Sequence, residues 1–375
     1  MCFTMANVLS VVSYKIFPAK LGGQKGIALF NKFFSRHNRL SCVTVKDNDP
    51  LLAEYKVYNI LSNSQLRYIN LFYFFSVRKI IKQNQITHLI IEHPYLGWLG
   101  ILLKWFCKVK LIIHSHNIES HRFKSVGKWW WGILWNYEKL VHRNADFTFN
   151  ITQEDRQYMI SNFKIKETKS AVITYGIEWN EPPQKHEKRI AKEFLQNKYS
   201  FSENTTVYLF NGTLDYLPNL NAVKNILENI NPELLSSSLN YKIIICGKNL
   251  PASMNELKSY ADKNIIYAGF VDDISVYFKG SDVFINPVTD GGGIKTKLVE
   301  ALGYDMNVVS TINGAIGVDE NLCNQKLMLV PDDNWKLFAE KMKAATNISA
   351  SIPQKFFDHF YWENIAKKAS ENLPT

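Results

Sequence analysis

The stretch from Asn286 to Gly317, NPVTDGGGIKTKLVEALGYDMNVVSTINGAIG, concentrates more usable chemistry than the rest of the chain. Gly291, Gly292 and Gly293 can bring bare backbone N–H groups close to an anion, and Lys295 and Lys297 add mobile positive charge directly behind them. A helix is expected to start near Thr296, which points its positive end at the same place, with Glu300 about one turn inside it. A carboxylate there can accept hydrogen bonds from hydroxyls. Together these groups suit a ligand that carries both phosphates and a sugar. A glycine run alone fits an ordinary strand-loop-helix corner; the alternate lysines, the glutamate and an apolar strand expected at Asn307 to Ser310 favour the ligand site.

Three further stretches carry polar groups at places where an α/β sheet can use them. Asn211-Gly212-Thr213 follows an expected strand, and a glycine at that corner lets a phosphate approach the backbone; the alternative is a helix capped by Asn219 with nothing bound. His114-Ser115-His116-Asn117-Ile118-Glu119 crowds polar residues at the carboxyl end of a strand, where open α/β sheets bind ligands. There Glu119 can orient His116 or contact an acceptor, and Glu92-His93-Pro94, ending the preceding strand, is a weaker candidate for the same crevice; a core or surface histidine is the alternative. Gly22-Gly23-Gln24 is either a glycine loop at a site or a tight turn before a solvated helix start. The histidines lack H-x-x-x-H or H-x-x-E-H spacing, so no metal site is expected, and Asp272-Asp273 reads as a helix cap.

The run of a Pro, a short loop, Gly-Gly-Gly-x-Lys-x-Lys-x-x-Glu-Ala-Leu, then Val-Val-Ser-Thr and Gly-Ala resembles the donor site of the family 4 (group 1) retaining glycosyltransferases. The resemblance implies two Rossmann-like domains facing across a cleft, the GT-B arrangement, with the final helix crossing back to the N-terminal domain. It implies that Glu300 holds the ribose of a nucleotide diphosphate sugar. Gly212, Asp290, Gly291, Gly292, Gly293, Ile294 and Thr296 would contact the donor, and Lys295 and Lys297 would neutralise the departing diphosphate. Gly22, Gly23 and Gln24 match the family's N-terminal glycine loop, and His116 matches a histidine near the reacting sugar. The chain departs from the family in two places. Where many relatives carry an Arg and a Lys downstream of the Gly212 corner, this chain has Asp215 and Asn219, so Lys295 and Lys297 would carry more of the charge. Eight residues before Glu300 stands Gly292, so the first acid of the Glu-x7-Glu pair is missing and Asp290 is the nearest acid.

The elements that must hold these residues alternate as in a doubly wound α/β protein. Strands are expected at Asn7 to Ser13, His88 to Ile91, Lys110 to His114, Phe147 to Ile151 and Ala171 to Thr174, and helices at Gly26 to Asn38, Gln65 to Lys82, Lys128 to Arg143 and Gln153 to Asn162. Glu181-Pro182-Pro183 and the charged run Lys185 to Lys192 interrupt the pattern. It resumes with strands at Thr206 to Phe210, Tyr241 to Cys246, Ile265 to Ala268 and Asp282 to Asn286, and helices at Asn219 to Asn229, Met254 to Ala261 and Ile274 to Gly280. Two domains are expected, 1–180 and 181–355, with a single last helix from Gln354 to Asn372 whose residues from 356 pack back on the first domain.

At 375 residues, with 46% hydrophobic and 21% charged residues, the chain is long enough for two separate cores and sits among globular proteins. Its five cysteines are scattered without C-x-x-C spacing, which points to a reduced, cytoplasmic protein. Val8 to Val12 is too short for a signal peptide, and Pro94 to Cys107 too short for a membrane span. Residues 1–180 hold 24 Lys and Arg against 11 Asp and Glu, while the remainder hold 20 against 23, so the basic half is expected to meet an anionic partner. Lys25, Lys32, Arg36 and Arg39 recur at helical spacing, and six tryptophans cluster between Trp98 and Trp135 among cations. Both features suit a peripheral contact with the inner face of a membrane, the alternative being a solvated helix and a tryptophan-rich core.

The expected activity is metal-independent transfer of a sugar from a nucleotide diphosphate sugar to a glycan or lipid-linked acceptor in cell-surface polysaccharide synthesis, without a cofactor. An epimerase of the same architecture is an alternative. A nucleic-acid-binding protein would explain the net charge of +10 but not Gly291 to Glu300. A nicotinamide-dependent oxidoreductase is disfavoured because no G-x-G-x-x-G follows the first strand.

Overall fold

A computed structural model describes residues 5–19 and 22–375; Cys2 lies outside them. The chain forms two compact units, one running up to Glu178 and including Phe360–Thr375, the other Trp179–His359. The first holds seven parallel strands: β1 (Asn7–Val12), β2 (Arg39–Val45), β3 (Lys56–Leu61), β4 (His88–Glu92), β5 (Lys110–Ser115), β6 (Phe147–Asn150) and β7 (Ser170–Val172), in the order β3-β2-β1-β4-β5-β6-β7. The second holds six: β8 (Thr206–Asn211), β9 (Tyr241–Cys246), β10 (Ile265–Gly269), β11 (Val283–Asn286), β12 (Asn307–Thr311) and β13 (Leu327–Val330), in the order β10-β9-β8-β11-β12-β13. Both are Rossmann-like.

Helices cover both faces of a parallel sheet, so its central strands are buried runs rather than alternating ones. Leu89, Ile90 and Ile91 in β4, Leu111, Ile112 and Ile113 in β5, and Ile243, Ile244 and Ile245 in β9 are all fully buried. Those strands announce themselves in the sequence. The strands not anticipated are weaker signals: β2 carries Ser41 and Thr44, β3 is a half-exposed edge with Lys56 and Asn59, and β13 has four residues. Helices Gly97–Cys107, Glu119–Ser125 and Trp335–Ala345 were likewise not anticipated.

Several boundaries differ from expectation. The first helix is Gly22–Phe34, so Gly22, Gly23 and Gln24 form its opening turn instead of a loop, and Arg36 and Arg39 lie beyond its end. The expected basic face is therefore not one helical surface. Lys32 pairs with Glu54 at 3.0 Å and Arg36 with Glu363 at 2.7 Å. Gln65 to Lys82 divides into a short turn at Gln65–Tyr68 and a helix at Tyr73–Gln83. Lys185 to Lys192 opens the helix Lys185–Tyr199, whose start is closed by reciprocal Gln184 and Glu187 hydrogen bonds. The segment around Met254 to Ala261 is tight turns broken by left-handed residues at Asn255, Glu256 and Leu257. Asp273 does cap its helix, accepting from the Ser275 N–H. Among the described residues no helix is long and apolar enough to cross a membrane.

The last helix is also two, Gln354–Phe360 and Trp362–Glu371, because Tyr361 adopts extended geometry and bridges to Ile177. Ile177 N–H donates to Phe360 O at 2.7 Å and Trp362 N–H to Ile177 O at 3.0 Å. Trp362 then packs, buried, against Tyr175 and Phe30, and Gly176 leaves room for it: a Cβ there would lie 2.7 Å from the indole. Deleting that indole leaves a cavity that a close-packed core cannot refill. Trp362→Ala should therefore cost about 3–5 kcal/mol in the unfolding of the first unit, measured by denaturant titration.

Candidate active site

In the second unit the chain lays β9 and β10 on one side of β8 and returns to place β11 on the other. The carboxyl ends of β8 and β11 are thus the point where strand order reverses, the usual ligand position of an open α/β sheet. Asn211, Gly212 and Thr213 leave one end and the Asp290–Thr296 loop leaves the other. Gly291 and Gly293 have φ of +88° and +70°, a left-handed backbone that glycine adopts without strain. Asp290 is exposed, Ile294 is half-buried, and Thr296 opens the helix Thr296–Gly303, which buries Leu298, Val299, Ala301 and Leu302 and carries half-buried Glu300 one turn in.

Lys297 ties the two corners together. Its Nζ donates to Asn211 O at 3.1 Å and to Asn219 Oδ1 at 3.0 Å, and lies 4.2 Å from the centre of the Phe210 ring. Burial, and then the charge of Lys295, pull its pKa down to about 7. Lys295 curls back on its own loop, with Nζ 2.8 Å from Gly291 O and 3.0 Å from Gly293 O. Asn219 does not cap the helix, which was the alternative for that corner: it sits within the helix Leu217–Asn225, donating to Thr213 O at 3.0 Å and pressing on Gly212, where a Cβ would meet its Nδ2 at 2.7 Å. Behind β11, Asn286 Nδ2 donates to Ser310 Oγ at 3.1 Å and Gly314 O at 2.9 Å, fixing the start of the loop.

In the first unit the reversal lies between β1 and β4. Here Tyr14, Glu92, His93, His114, His116 and Glu119 form one network. Glu92 is buried, and its carboxylate accepts from His116 Nε2 at 2.7 Å through Oε2 and from His114 Nδ1 at 3.3 Å through Oε1. The parallel register sets Glu92 beside His114, and His116, two residues on, returns to the same side. The Glu92 carboxyl lies well below the usual range: the two imidazoles outweigh burial. Burial and the neighbouring imidazoles hold His116 neutral, its pKa down at about 4. Since a carboxylate only accepts, the His116 proton sits on Nε2, and Nδ1 keeps its lone pair.

His93 is the most constrained residue of the group. Its φ of +61° lies in the left-handed region, a conformation of order 1–3 kcal/mol above the common ones. It is held by Glu119 Oε1 at 2.8 Å from Nδ1, by Tyr14 OH at 3.0 Å from Nε2, and by stacking on His116 with ring centres 4.4 Å apart. Glu119 is fully buried and also accepts from Tyr95 OH at 2.5 Å and Arg122 at 3.1 Å. It orients His93, and Glu92 orients His116, which reverses the weight expected of these two acids. Gln24 Nε2 donates to Lys15 O at 3.1 Å, and Gly23 leaves the Tyr14 hydroxyl 3.8 Å from where a Cβ would stand.

Glu92, His114 and His116 also bring three metal-ligating atoms within 4.8 Å of one another, a group that the spacing search missed because the histidines are H-x-H and the acid comes from the next strand. In this arrangement the carboxylate is satisfied by the two imidazole N–H groups. A cavity of about 490 Å³ lies instead at the amino ends of β11 and β12, where Lys188 and Lys326 pair with Asp305, Lys192 with Asp282 and Lys279 with Glu187.

Known proteins carry both halves of this pattern. A model described as Glycosyltransferase Family 4 matches residues 29–180, and one described as Glycosyl transferases group 1 matches residues 205–347. The chain belongs to the group 1, family 4 glycosyltransferases. An uncharacterized glycosyltransferase of Methanocaldococcus jannaschii is 23% identical over 342 residues, 84% of this chain and 82% of that one. An uncharacterized 44.6 kDa protein in the cps region of Klebsiella pneumoniae is 29% identical over 131 residues, 33% of this chain; the match spans about a third (34%) of that protein's length. Among solved structures, Anabaena HepE in complex with UDP superposes with a TM-score of 0.74 at 14% identity, covering 97% of this glycosyltransferase and 98% of HepE. The fold is that of the GT-B glycosyltransferases.

Two pH effects follow from the imidazoles. The His116 ring should stay neutral, with its proton on Nε2, down to about pH 4, as read by nitrogen-detected nuclear magnetic resonance. Folding stability should fall with acid, because below about pH 6.5 the unfolded chain protonates histidines that the folded chain keeps neutral. Buried His142, with a pKa near 3, is another such group, so His142→Phe should flatten the dependence of the melting temperature on pH between about 6.5 and 4.

Proposed function

We propose that this glycosyltransferase moves a sugar from a nucleotide diphosphate sugar to a glycan or lipid-linked acceptor, with retention of configuration, in building cell-surface polysaccharide on the cytoplasmic side of the membrane. The observation that carries the donor reading is Lys297, lodged beneath a glycine loop and beside a helix start at the reversal point of the second sheet. A half-buried amine with pKa near 7 gains a full charge when a diphosphate arrives, and in that dry setting the charge acts strongly on a leaving group. Lys295 swings off its own loop to add a second cation, Gly212 and Gly291–Gly293 admit the phosphates to the backbone, and Glu300 holds the ribose. Asp290 and Ile294 border the sugar. HepE has been solved with UDP-glucose, which supports a donor of this class. In the first unit neutral His116, aimed by Glu92, offers Nδ1 to a hydroxyl of the reacting sugar. The proposed transfer uses cations where other enzymes use a metal, so it should survive EDTA; loss of activity restored by Mg²⁺ or Mn²⁺ refutes that part.

Two measurements test the donor site. UDP binding should take up a proton above about pH 7 and weaken roughly tenfold per pH unit above it, since only the protonated amine pairs with phosphate; calorimetry in buffers of different ionisation enthalpy reads the proton directly. Replacing Lys295 and Lys297 together by Ala should lower kcat as well as donor affinity, because the phosphate charge grows as the sugar leaves. Glu300→Gln should instead raise mainly the donor KM, by the equivalent of roughly 1.5–3 kcal/mol. Unchanged donor kinetics in both variants would make the loop structural and refute the assignment.

A further inference from the structure

From Tyr55 to Ile118 the chain carries eight Lys and Arg but one acid, Glu92, and that acid is buried against His114 and His116. Nothing anionic in this stretch therefore reaches its surface. The same stretch exposes large apolar side chains: Leu66, Ile69, Leu71, Phe72, Phe75, Trp105 and Phe106 are each 62–77% exposed. Single exposed apolar residues are ordinary, but these are joined. Phe74 meets both Phe75 and Phe106 edge to face, with ring centres 5.4 and 5.5 Å apart, which links the helix Tyr73–Gln83 to the helix Gly97–Cys107.

Cations follow the apolar residues along the same faces. Phe72, Phe75, Lys79 and Lys82 fall at helical spacing on the exposed side of the first helix, while Val77, Ile80 and Ile81 fill the core beneath. On the second, exposed Trp105 and Phe106 are followed by exposed Lys108, and Arg78 and Lys82 lie near enough to act on the Cys107 thiol between the two helices. We propose that this two-helix surface of the first unit is an attachment site for an anionic lipid bilayer, with Phe72, Phe75, Trp105 and Phe106 entering the interface and Lys79, Lys82 and Lys108 meeting the headgroups. Aromatic rings at the depth of the headgroups, flanked by long cationic side chains, match the chemistry of such an interface, and Asp146, which lies against the second helix, is paired with Lys104 at 2.8 Å. A partner protein of mixed charge would leave the all-cationic rim unmatched. The surface lies away from the Lys32 and Arg36 face favoured by sequence, whose cations are held by Glu54 and Glu363.

The proposal extends the reading of a lipid-linked acceptor, yet vesicle binding needs neither donor nor acceptor, so each can fail without the other. The test is sedimentation with vesicles of phosphatidylcholine alone or with about 30% phosphatidylglycerol. The full chain should bind only the anionic vesicles and release in ~0.5 M NaCl. Each near-surface cation contributes roughly fivefold to partitioning, so Lys79→Glu with Lys82→Glu should weaken binding at least tenfold. Phe72→Ser with Phe75→Ser should weaken it even at low salt, and Lys32→Glu with Arg36→Glu should leave it unchanged. All of these residues are surface positions, and circular dichroism checks the fold. The proposal is overturned if the protein ignores anionic vesicles, if only the Lys32 and Arg36 pair matters, or if the phenylalanine variants instead abolish a concentration-dependent dimer seen by ultracentrifugation.

Discussion

A carboxylate buried among strands is a severe constraint, because an ion removed from water without partners costs several kcal/mol even after relaxation. Glu92 meets it with two imidazole N–H groups, and much of the first unit follows from that arrangement. The β4/β5 register must set Glu92 beside His114, His116 must return to the same side two residues later, and both rings must keep a proton facing the acid. His116 then stacks on His93, whose left-handed backbone is tolerated only because Glu119 and Tyr14 grip both of its ring nitrogens. Taking away Glu92 alone would leave two buried donors unmatched, so the carboxylate and the histidines stand or fall as a set.

The second unit solves the reverse problem at the corresponding place in its sheet. Its ion is the Lys297 amine, and its partners are a backbone carbonyl, an amide oxygen and a ring face, all of them neutral. Neutral partners satisfy hydrogen bonds without cancelling charge. An amine held this way remains available to a stronger anion, whereas the Glu92 charge is largely spent on its neighbours. The two switch points are therefore electrostatically unlike: one holds an anion matched by its neighbours, and the other an amine whose partners are all neutral.

The sequence disclosed whatever rests on continuous local pattern. The isoleucine-rich strands, the glycine loop, the helix opening at Thr296 and the cap at Asp273 all lie within a few consecutive residues, and each stood where it was expected. What stayed hidden depends on residues far apart in the chain. Glu92 and His116 are 24 positions apart and meet only through strand pairing; Lys297 and Asn219 are 78 apart and meet only through the reversal of strand order. Edge strand β3, half-exposed and polar, had too little periodicity to be seen. The basic stripe from Lys25 to Arg39 failed for a related reason, since helical spacing continued on paper past the point where the helix stops at Phe34.

The bridge at Tyr361 has a consequence for how the protein is made. The first unit is completed by residues that follow the whole of the second, for Trp362, Ile365 and Ala369 are buried in it. A chain emerging from the ribosome thus presents a nearly finished first sheet with an open seam beside Phe30 and Tyr175, then synthesises a continuous segment able to fold at once. The order of completion is the opposite of the order of synthesis. Throughout that interval the seam is exposed apolar surface, which makes the newborn first unit, and not the later one, the natural client of a chaperone.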